Sequence, residues 1–366
     1  METRARWLAV GLALVLIACG QPAAMAPAAA SPSPLPAKAA SPQAAASPAS
    51  PYGMTLEEEI GAVLIVGFTG PLTDAVLNDW RVHQYGGFVT VNLNHNAATA
   101  EEMRAVIARL RTATRHRLLA GTDQEGGDIC LAIQSVSCAP MPVNRASMAT
   151  MAGGLRDLGF DLDLAPVADV CSGPGSYMWG RCYGTEPAAV SAAVSEAVAG
   201  IHAAGLLSAA KHFPGHGSAT GNSHLLLPKV DESLATLQSR DWPPFRAAVA
   251  AGADFVMIGH LDMTALDPGH PASISATSVQ RLRGDVGYAG AVMSDDLQME
   301  GVTAQVSTPE AAVRFLVNGG DMPMVAHDLA VADATFDAIK AAVLSGRLAR
   351  SRLDEAVLRI PAPAPH

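Results

Sequence analysis

Eight short apolar runs, each followed by a helix-like stretch, recur along the 366-residue chain from about residue 61 onward. Most are almost continuously apolar, which is typical of parallel strands buried on both faces. They lie at residues 62–67, 87–92, 117–122, 162–166, 207–211, 255–259, 291–294 and 322–326. Eight strand–helix units predict an α/β fold, a single-domain (β/α)8 barrel of the TIM type. A doubly wound sheet is the alternative, but no phosphate-binding glycine fingerprint follows the first strand.

Helix signals separate these runs. Residues 99–114 open with Thr99 and carry Glu102 in the capping-box position. Further helices are predicted at residues 186–204, 233–251, 308–318 and 332–345, with shorter candidates after the first, third and sixth strands.

Polar side chains cluster where the predicted strands end. In a (β/α)8 barrel, catalytic groups sit at the carboxyl ends of strands. The residues at these ends are Asp123, Glu125, Asp169, Lys211, His212, His260, Asp262, Asp295, Asp296, His327 and Asp328. The densest stretch runs from Lys211 to His224 and contains three histidines. A glycine-rich loop with incidental histidines is the other interpretation of that stretch.

The amino terminus has the pattern of an exported lipoprotein. Arg4 and Arg6 precede an apolar run at residues 8–18, and residues 16–19 resemble a bacterial lipobox. We therefore predict a signal peptide at 1–18, cleaved before a lipid-carrying Cys19, and an extracytoplasmic domain anchored to a bacterial membrane. A simple secretory signal is the alternative. The run of eleven residues is too short to span a bilayer, which takes about 20.

Composition divides the rest of the chain into a tether and a folded domain. Residues 20–52 contain 13 Ala, 8 Pro and 5 Ser, a mixture that cannot build a packed core. We predict a tether at 19–52 and the barrel domain at 53–361. The formal net charge of -10 argues against a nucleic-acid partner.

Four further cysteines follow, at positions 130, 138, 171 and 182. An even number in an exported chain indicates disulfides. Of the three possible connectivities, we favour the local pairs Cys130–Cys138 and Cys171–Cys182. The cysteines lack CxxC spacing, so no metal site is predicted from them.

Several motifs together resemble glycoside hydrolase family 3, in particular its single-domain bacterial β-N-acetylglucosaminidases, or β-hexosaminidases. They stand in the family's order and span most of residues 54–360. The matching segments are 123–127 (DQEGG), 165–170 (APVADV), 211–217 (KHFPGHG), 223–224 (SH), 271–273 (PAS) and 294–301 (SDDLQMEG).

The resemblance implies a retaining exo-β-N-acetylglucosaminidase that acts on cell-wall glycans through a covalent glycosyl-enzyme. It assigns Asp295 as nucleophile and His224 as proton donor, a task that suits an imidazole near neutral pH. Asp296 is the competing nucleophile. Its side chain should point to the opposite face of the strand from that of Asp295, so we interpret it as a structural hydrogen-bond acceptor.

Substrate-binding residues follow from the same resemblance. Asp123 would accept hydrogen bonds from sugar hydroxyls, and Arg181, Lys211 and His212 would donate to hydroxyls or to the acetamido group. A salt bridge from Lys211 to Asp123 or Asp169 is the alternative, and we interpret His216 as structural. No metal or organic cofactor is implied, and we expect a monomer whose partners are a glycan and, through the lipid anchor, a membrane.

Four positions depart from the family pattern. Asn222 stands where the family pairs an aspartate with the donor histidine, so its amide would orient the His224 ring without adding charge. Asp128 and Leu131 replace two arginines, and Ser218 replaces a common aspartate. These departures leave two alternatives open: a weakened or inactive sugar-binding lipoprotein, and a phosphorylase that uses the same nucleophile.

Overall fold

A computed structural model of the chain describes residues 51–133, 136–141 and 143–363. Within them, eight parallel strands close into a barrel in which each strand pairs with the next and the eighth pairs with the first. They are β1 (Ile65–Val66), β2 (Gly87–Thr90), β3 (Leu119–Thr122), β4 (Leu162–Asp163), β5 (Leu207–Phe213), β6 (Phe255–Ile258), β7 (Ala291–Asp296) and β8 (Met322–Val325). The predicted (β/α)8 barrel is confirmed. The predicted signal peptide, Cys19 and most of the tether lie outside the described residues.

Helices follow the strands around the outside of the barrel. They are α1 (Leu56–Val63), α2 (Asp74–His83), α3 (Ala100–Ala113), α4 (Arg145–Leu158), α5 (Pro187–Ala203), α6 (Leu234–Thr236), α7 (Pro243–Ala250), α8 (Ala276–Arg281), α9 (Glu300–Thr303), α10 (Thr308–Val317), α11 (Leu329–Leu344) and α12 (Arg350–Arg359). The predicted capping box begins α3, with Thr99 and Glu102 each accepting a hydrogen bond from the other's backbone N–H. In the described part of the chain, no helix combines the length and apolarity needed to cross a membrane.

Some predicted elements have different bounds in the structure. The helix predicted at 233–251 is interrupted, because Pro243 and Pro244 have no N–H to donate. The chain passes from α6 into a π-helical turn at Leu237–Asp241 before α7 begins. The first strand was predicted to begin at residue 62, but α1 runs to Val63. The helix after the third strand, α4, has 14 residues and is longer than predicted, and α12 was not predicted.

The amino-terminal end of the barrel is closed around the buried carboxylate of Asp321. Its Oδ2 accepts hydrogen bonds from the Val292 N–H (2.9 Å) and from Arg283 (3.0 Å). Its Oδ1 contacts Arg352 (2.5 Å) and Arg359 (3.2 Å), both on α12. Helix α12 is thereby tied to the strands, and the opposite end, where the strands finish, is left open.

Both disulfides lie in loops at that open end. Cys130 pairs with Cys138 in the loop after β3, and Cys171 pairs with Cys182 in the loop after β4. The predicted local connectivity is confirmed. Each bridge shortens the free length of a loop that borders the barrel mouth.

Candidate active site

A cavity of about 280 Å³ opens at the carboxyl ends of the strands. The polar residues that line it are Asn92, Thr122, Asp123, Arg181, Lys211, His212, His216, Ser223, His224, Asp295, Asp296 and His327. Six of the seven residues predicted as catalytic or substrate-binding therefore meet in one cavity. The seventh, Asn222, is not among the described lining residues and contacts the backbone N–H of His224.

A buried carboxylate, Glu125, holds two cations at the cavity wall. Arg181 donates to it from Nε (2.8 Å) and Nη2 (2.6 Å), and Lys211 Nζ lies 2.6 Å from the same carboxylate. Lys211 also donates to Asp123. Burial opposes ionisation of Glu125, but Arg181 and Lys211 lower its pKa to about 2. The alternative interpretation of Lys211 as a salt-bridge residue is thus compatible with its place in the cavity.

Glu125 was noted at a strand end, but sequence reasoning assigned it no role. The signal was available, because two cations predicted to face one cavity require a buried counter-charge. Burial opposes the charged form of Lys211, and Asp123 and Glu125 outweigh that effect and raise its pKa. Lys211 therefore remains a charged donor.

Asp169 orients His212. Its Oδ2 accepts hydrogen bonds from His212 Nδ1 (2.8 Å) and from the His212 backbone N–H (3.2 Å). Nδ1 is therefore the protonated nitrogen, and in a neutral ring Nε2 is an acceptor, 3.3 Å from Arg181 Nη2. Burial opposes ionisation of Asp169, but the contacts with His212 outweigh it and lower the pKa of Asp169.

The end of β5 and the loop after it pack closely on the loop after β4. The His216 N–H donates to Asp169 Oδ1 (2.6 Å), in addition to a bond within its own loop from the Ala219 N–H to the His216 carbonyl (3.0 Å). Burial is the main cause that lowers the pKa of His216 to about 4. A Cβ at Gly217 would lie 2.0 Å from the Val170 carbonyl oxygen, so only glycine permits this approach.

Asp295 lies at the end of β7 and faces the cavity. Its Oδ1 accepts a hydrogen bond from the Asp296 N–H (2.9 Å). Burial opposes ionisation of Asp295, but the neighbouring His260 and His212 and the Asp296 N–H lower its pKa to about 2. Asp295 is therefore an ionised carboxylate in the cavity. The Asp296 carboxyl instead accepts backbone hydrogen bonds from Gln298 and Ala326, as its predicted acceptor role requires.

His224 projects from an exposed loop after β5. The Ser223 carbonyl beside it accepts a hydrogen bond from the Gly301 N–H (3.0 Å), which ties the loop to α9. The Asn222 side-chain oxygen accepts from the His224 backbone N–H (2.9 Å). The amide thus shapes the loop backbone, whereas the sequence-based interpretation had it orient the ring.

The other departures from the family pattern also have defined contacts. Ser218 Oγ accepts a hydrogen bond from Arg240 (3.0 Å), which also pairs with Asp241 and Glu232. Leu131 lines the cavity, and Gln124 accepts from its N–H (2.8 Å). An apolar side chain thus stands in the wall where the resemblance predicts an arginine.

One group of possible metal ligands occurs among the described residues, and it lies outside the cavity. Asp79 and His83 on α2 face Asp333 on α11. His83 Nδ1 is 2.9 Å from Asp79, and this contact raises the pKa of His83. We interpret the group as an ion-pair cluster between two helices.

Comparisons with known proteins agree with this geometry. The family model described as "Glycosyl hydrolase family 3 N terminal domain" matches residues 55–362. A protein named "Beta-hexosaminidase" from Xylella fastidiosa (strain 9a5c) is 34% identical over 290 residues, covering 74% of this chain and 85% of that protein.

Two solved structures share the fold. A glycoside hydrolase family 3 beta-N-acetylglucosaminidase from Paenibacillus sp. str. FPU-7 matches with a TM-score of 0.80 and 30% identity, over 84% of this chain but only 61% of that longer chain. The structure of M tuberculosis LpqI matches with a TM-score of 0.78 and 27% identity, over 86% of this chain and 96% of that one.

Glu125→Gln tests the ion cluster. Loss of the buried charge leaves Arg181 and Lys211 undercompensated, so we expect the free energy of unfolding at pH 7 to fall by about 3–5 kcal/mol. The folded-state pKa of Glu125 is lowered from 4.5 to about 2, so its contribution is full above pH 4.5 and is lost as the pH falls toward 2.

Denaturant unfolding of wild type and Glu125→Gln from pH 7 to pH 2 measures this difference. The gap between the two proteins should narrow as the pH falls through that window. Asp128→Asn, an exposed residue of the same loop, is the matched control and should behave as wild type. A gap that is constant with pH would show that the charge of Glu125 is not what stabilises the cluster.

Proposed function

The chain belongs to glycoside hydrolase family 3, and on that premise we propose that it is a retaining exo-β-N-acetylglucosaminidase acting on cell-wall glycans. The observation that carries the proposal is an ionised carboxylate, Asp295, in one cavity with His224 and with the hydrogen-bonding groups of Asp123 and Lys211. Relatives named beta-hexosaminidase support the substrate class.

The proposed reaction has two steps at Asp295. In the first, its carboxylate forms a bond to the anomeric carbon while the glycosidic bond breaks, and the His224 imidazolium gives its proton to the leaving oxygen. In the second, neutral His224 takes a proton from water as that water attacks the anomeric carbon and releases Asp295. Two displacements return the original configuration. The low pKa of Asp295 suits both its attack as a carboxylate and its departure.

Sugar recognition would rest on the charged residues that line the cavity together with Asp295. Asp123 would accept hydrogen bonds from sugar hydroxyls, and Lys211 would donate. Glu125 is 2% exposed and pairs with both Lys211 and Arg181, which keeps the two cations in place. His212, held by Asp169, presents Nε2 toward the same region. These groups are positioned before substrate arrives, which reduces the entropy lost on binding.

The contact made by Asn222 supports the two alternative functions, a sugar-binding protein and a phosphorylase. The Asn222 amide bonds the backbone of His224 and brings no charge to the ring. A weak proton donor would slow hydrolysis, which fits a sugar-binding protein with little or no activity. It would alternatively favour phosphate over water as the acceptor, which fits a phosphorylase. Product analysis with and without phosphate separates these cases: free N-acetylglucosamine indicates a hydrolase, its 1-phosphate a phosphorylase, and no product a binding protein.

Asp295→Asn tests the nucleophile. We expect kcat/KM for an aryl N-acetyl-β-glucosaminide to fall by at least about 10³-fold, because the covalent route is lost. Asp262→Asn changes a carboxylate that accepts a hydrogen bond from the Gly269 backbone N–H in the loop after β6, and this variant should retain activity. Proton NMR of the first-formed wild-type product should show the β-anomer. An α-anomer would contradict the retaining mechanism.

His224→Ala tests the proton donor. A poor leaving group such as methanol needs protonation, so we expect kcat/KM for a methyl glycoside to fall by about 10²–10⁴-fold. A dinitrophenyl leaving group needs none, so its kcat/KM should change little. Equal losses on both substrates would exclude His224 as the acid.

The same two substrates test whether Asn222 limits proton donation by His224. A carboxylate at this position would stabilise the charged imidazolium that donates the proton. Asn222→Asp should therefore raise kcat/KM for the methyl glycoside and leave the dinitrophenyl glycoside unaffected. An unchanged ratio of the two would show that Asn222 is not the position that limits proton donation.

We also propose that Cys19 carries a diacylglycerol that holds the domain outside a bacterial membrane. The support is the sequence pattern of residues 1–19. In cells fed a labelled lipid precursor, the full-length protein should take up label and Cys19→Ala should not. Ser31→Ala, in the predicted tether, is the control and should remain labelled. Equal labelling of wild type and Cys19→Ala would contradict the anchor.

A further inference from the structure

Asp296, the residue after the proposed nucleophile, is held mainly by hydrogen bonds with backbone groups. Asp296 Oδ1 accepts hydrogen bonds from the N–H groups of Gln298 (3.1 Å) and Ala326 (3.0 Å). Its carbonyl oxygen lies 2.7 Å from His260 Nε2, which must therefore donate. Both lone pairs of Oδ1 are in use, so Oδ2 is the oxygen left to carry a proton. Oδ2 lies 3.3 Å from His327 Nε2.

The protonation of the His327 ring follows from its other contact. Asn94 is fully buried, and its Nδ2 donates to the Ala326 carbonyl (2.8 Å). The Asn94 Oδ1 therefore faces His327 Nδ1, at 2.6 Å. An amide oxygen can only accept, so Nδ1 carries the hydrogen, and in the neutral ring Nε2 presents a lone pair.

The contact between Asp296 Oδ2 and His327 Nε2 thus requires one proton, because two lone pairs would repel each other. Burial raises the pKa of Asp296 to about 7, and the adjacent charge of Asp295 adds to this effect. Burial lowers the pKa of His327. Both directions favour the arrangement in which the carboxyl holds the proton and the ring is neutral.

We propose that Asp296 and His327 are positioning residues that share one proton, with Asp296 a neutral acid that donates from Oδ2 to His327 Nε2. Only one of the two adjacent carboxyl groups at the end of β7 is then charged. The inference rests on the proposed role of Asp295 as nucleophile. It adds a protonation state on which that role depends.

The shared proton matters most when Asp295 must leave the sugar. A second negative charge beside Asp295 would raise its pKa and make it a poorer leaving group in the hydrolysis of the glycosyl-enzyme. Loss of the proton would also remove the contact that holds His327 at the cavity wall. The other titratable groups facing Asp296 are Asp295, His260 and His224, and burial lowers the pKa of His260.

Asp296→Asn distinguishes a neutral from a charged Asp296. Two backbone N–H groups donate to the Oδ1 position, so the amide oxygen of the variant must lie there. Its NH₂ group must then face His327 Nε2. The variant therefore reproduces the protonated acid and cannot lose its proton. With a dinitrophenyl N-acetyl-β-glucosaminide, departure of the leaving group is fast, so kcat reports the second step.

We expect wild-type kcat to decline as the pH rises above neutral, and Asp296→Asn to keep wild-type kcat at pH 6 within about fivefold and to lack that decline. Asp262→Asn should show the wild-type profile. A fall of more than about 100-fold in Asp296→Asn at pH 6, with folding intact by circular dichroism, would mean that a charged Asp296 is required and would overturn the proposal.

A second measurement does not depend on activity. In wild-type protein labelled with ¹⁵N-histidine, the His327 ring signals, assigned by their loss in His327→Gln, should show a protonated Nδ1 and an unprotonated Nε2 at pH 6. Two protonated nitrogens would place the proton on His327 and overturn the proposal. Because no substrate is present, this result stands even if the hydrolase assignment fails, and the Asp295→Asn assay judges that assignment separately.

Discussion

The architecture of the barrel mouth depends on one buried carboxylate that compensates two cations. Taking a charge out of water costs several kcal/mol, and the cost is recovered only through close partners with good geometry. Glu125 supplies both, with a two-point contact to Arg181 and a contact to Lys211. These three residues come from the loops after β3 and β4 and from β5. Their contact therefore sets the relative position of three neighbouring strand ends.

Around this cluster, chemically similar carboxyl groups are held in different states. Arg181 and Lys211 keep Glu125 ionised, and His212 does the same for Asp169. Asp163, buried beneath them and bonded at 3.0 Å to the Gln124 N–H, has its pKa raised well above the usual range by burial. At the end of β7 the contrast falls between adjacent residues, since Asp295 is ionised while burial raises the pKa of Asp296 to about 7. The proposed nucleophile and the proposed neutral acid require such a divergence between neighbouring groups.

The loops that border the cavity are stabilised by means other than packing alone. The two disulfides constrain the loops after β3 and β4. Asn92 also holds the first of these loops, because it donates to the Cys130 carbonyl (2.8 Å) and accepts from the Ala132 N–H (2.7 Å). The loop that carries His224 is exposed at residues 224–226 and is tied to α9 through the Ser223 carbonyl. The two bridged loops and the exposed loop of His224 thus border the same cavity.

The sequence by itself determined the fold class, the eight strands, both disulfide pairs and most of the polar cavity lining, because apolar runs, local cysteine spacing and strand-end polarity are properties of short segments. Only the tertiary structure decided the partners of the buried charges. Glu125 contacts Arg181, which lies 56 residues away along the chain, and His327 contacts Asn94, which lies 233 residues away. It also turned the Asn222 amide to the backbone. A protonation state or a salt bridge depends on atoms that closure of the barrel brings within about 3 Å, and no local pattern encodes that distance.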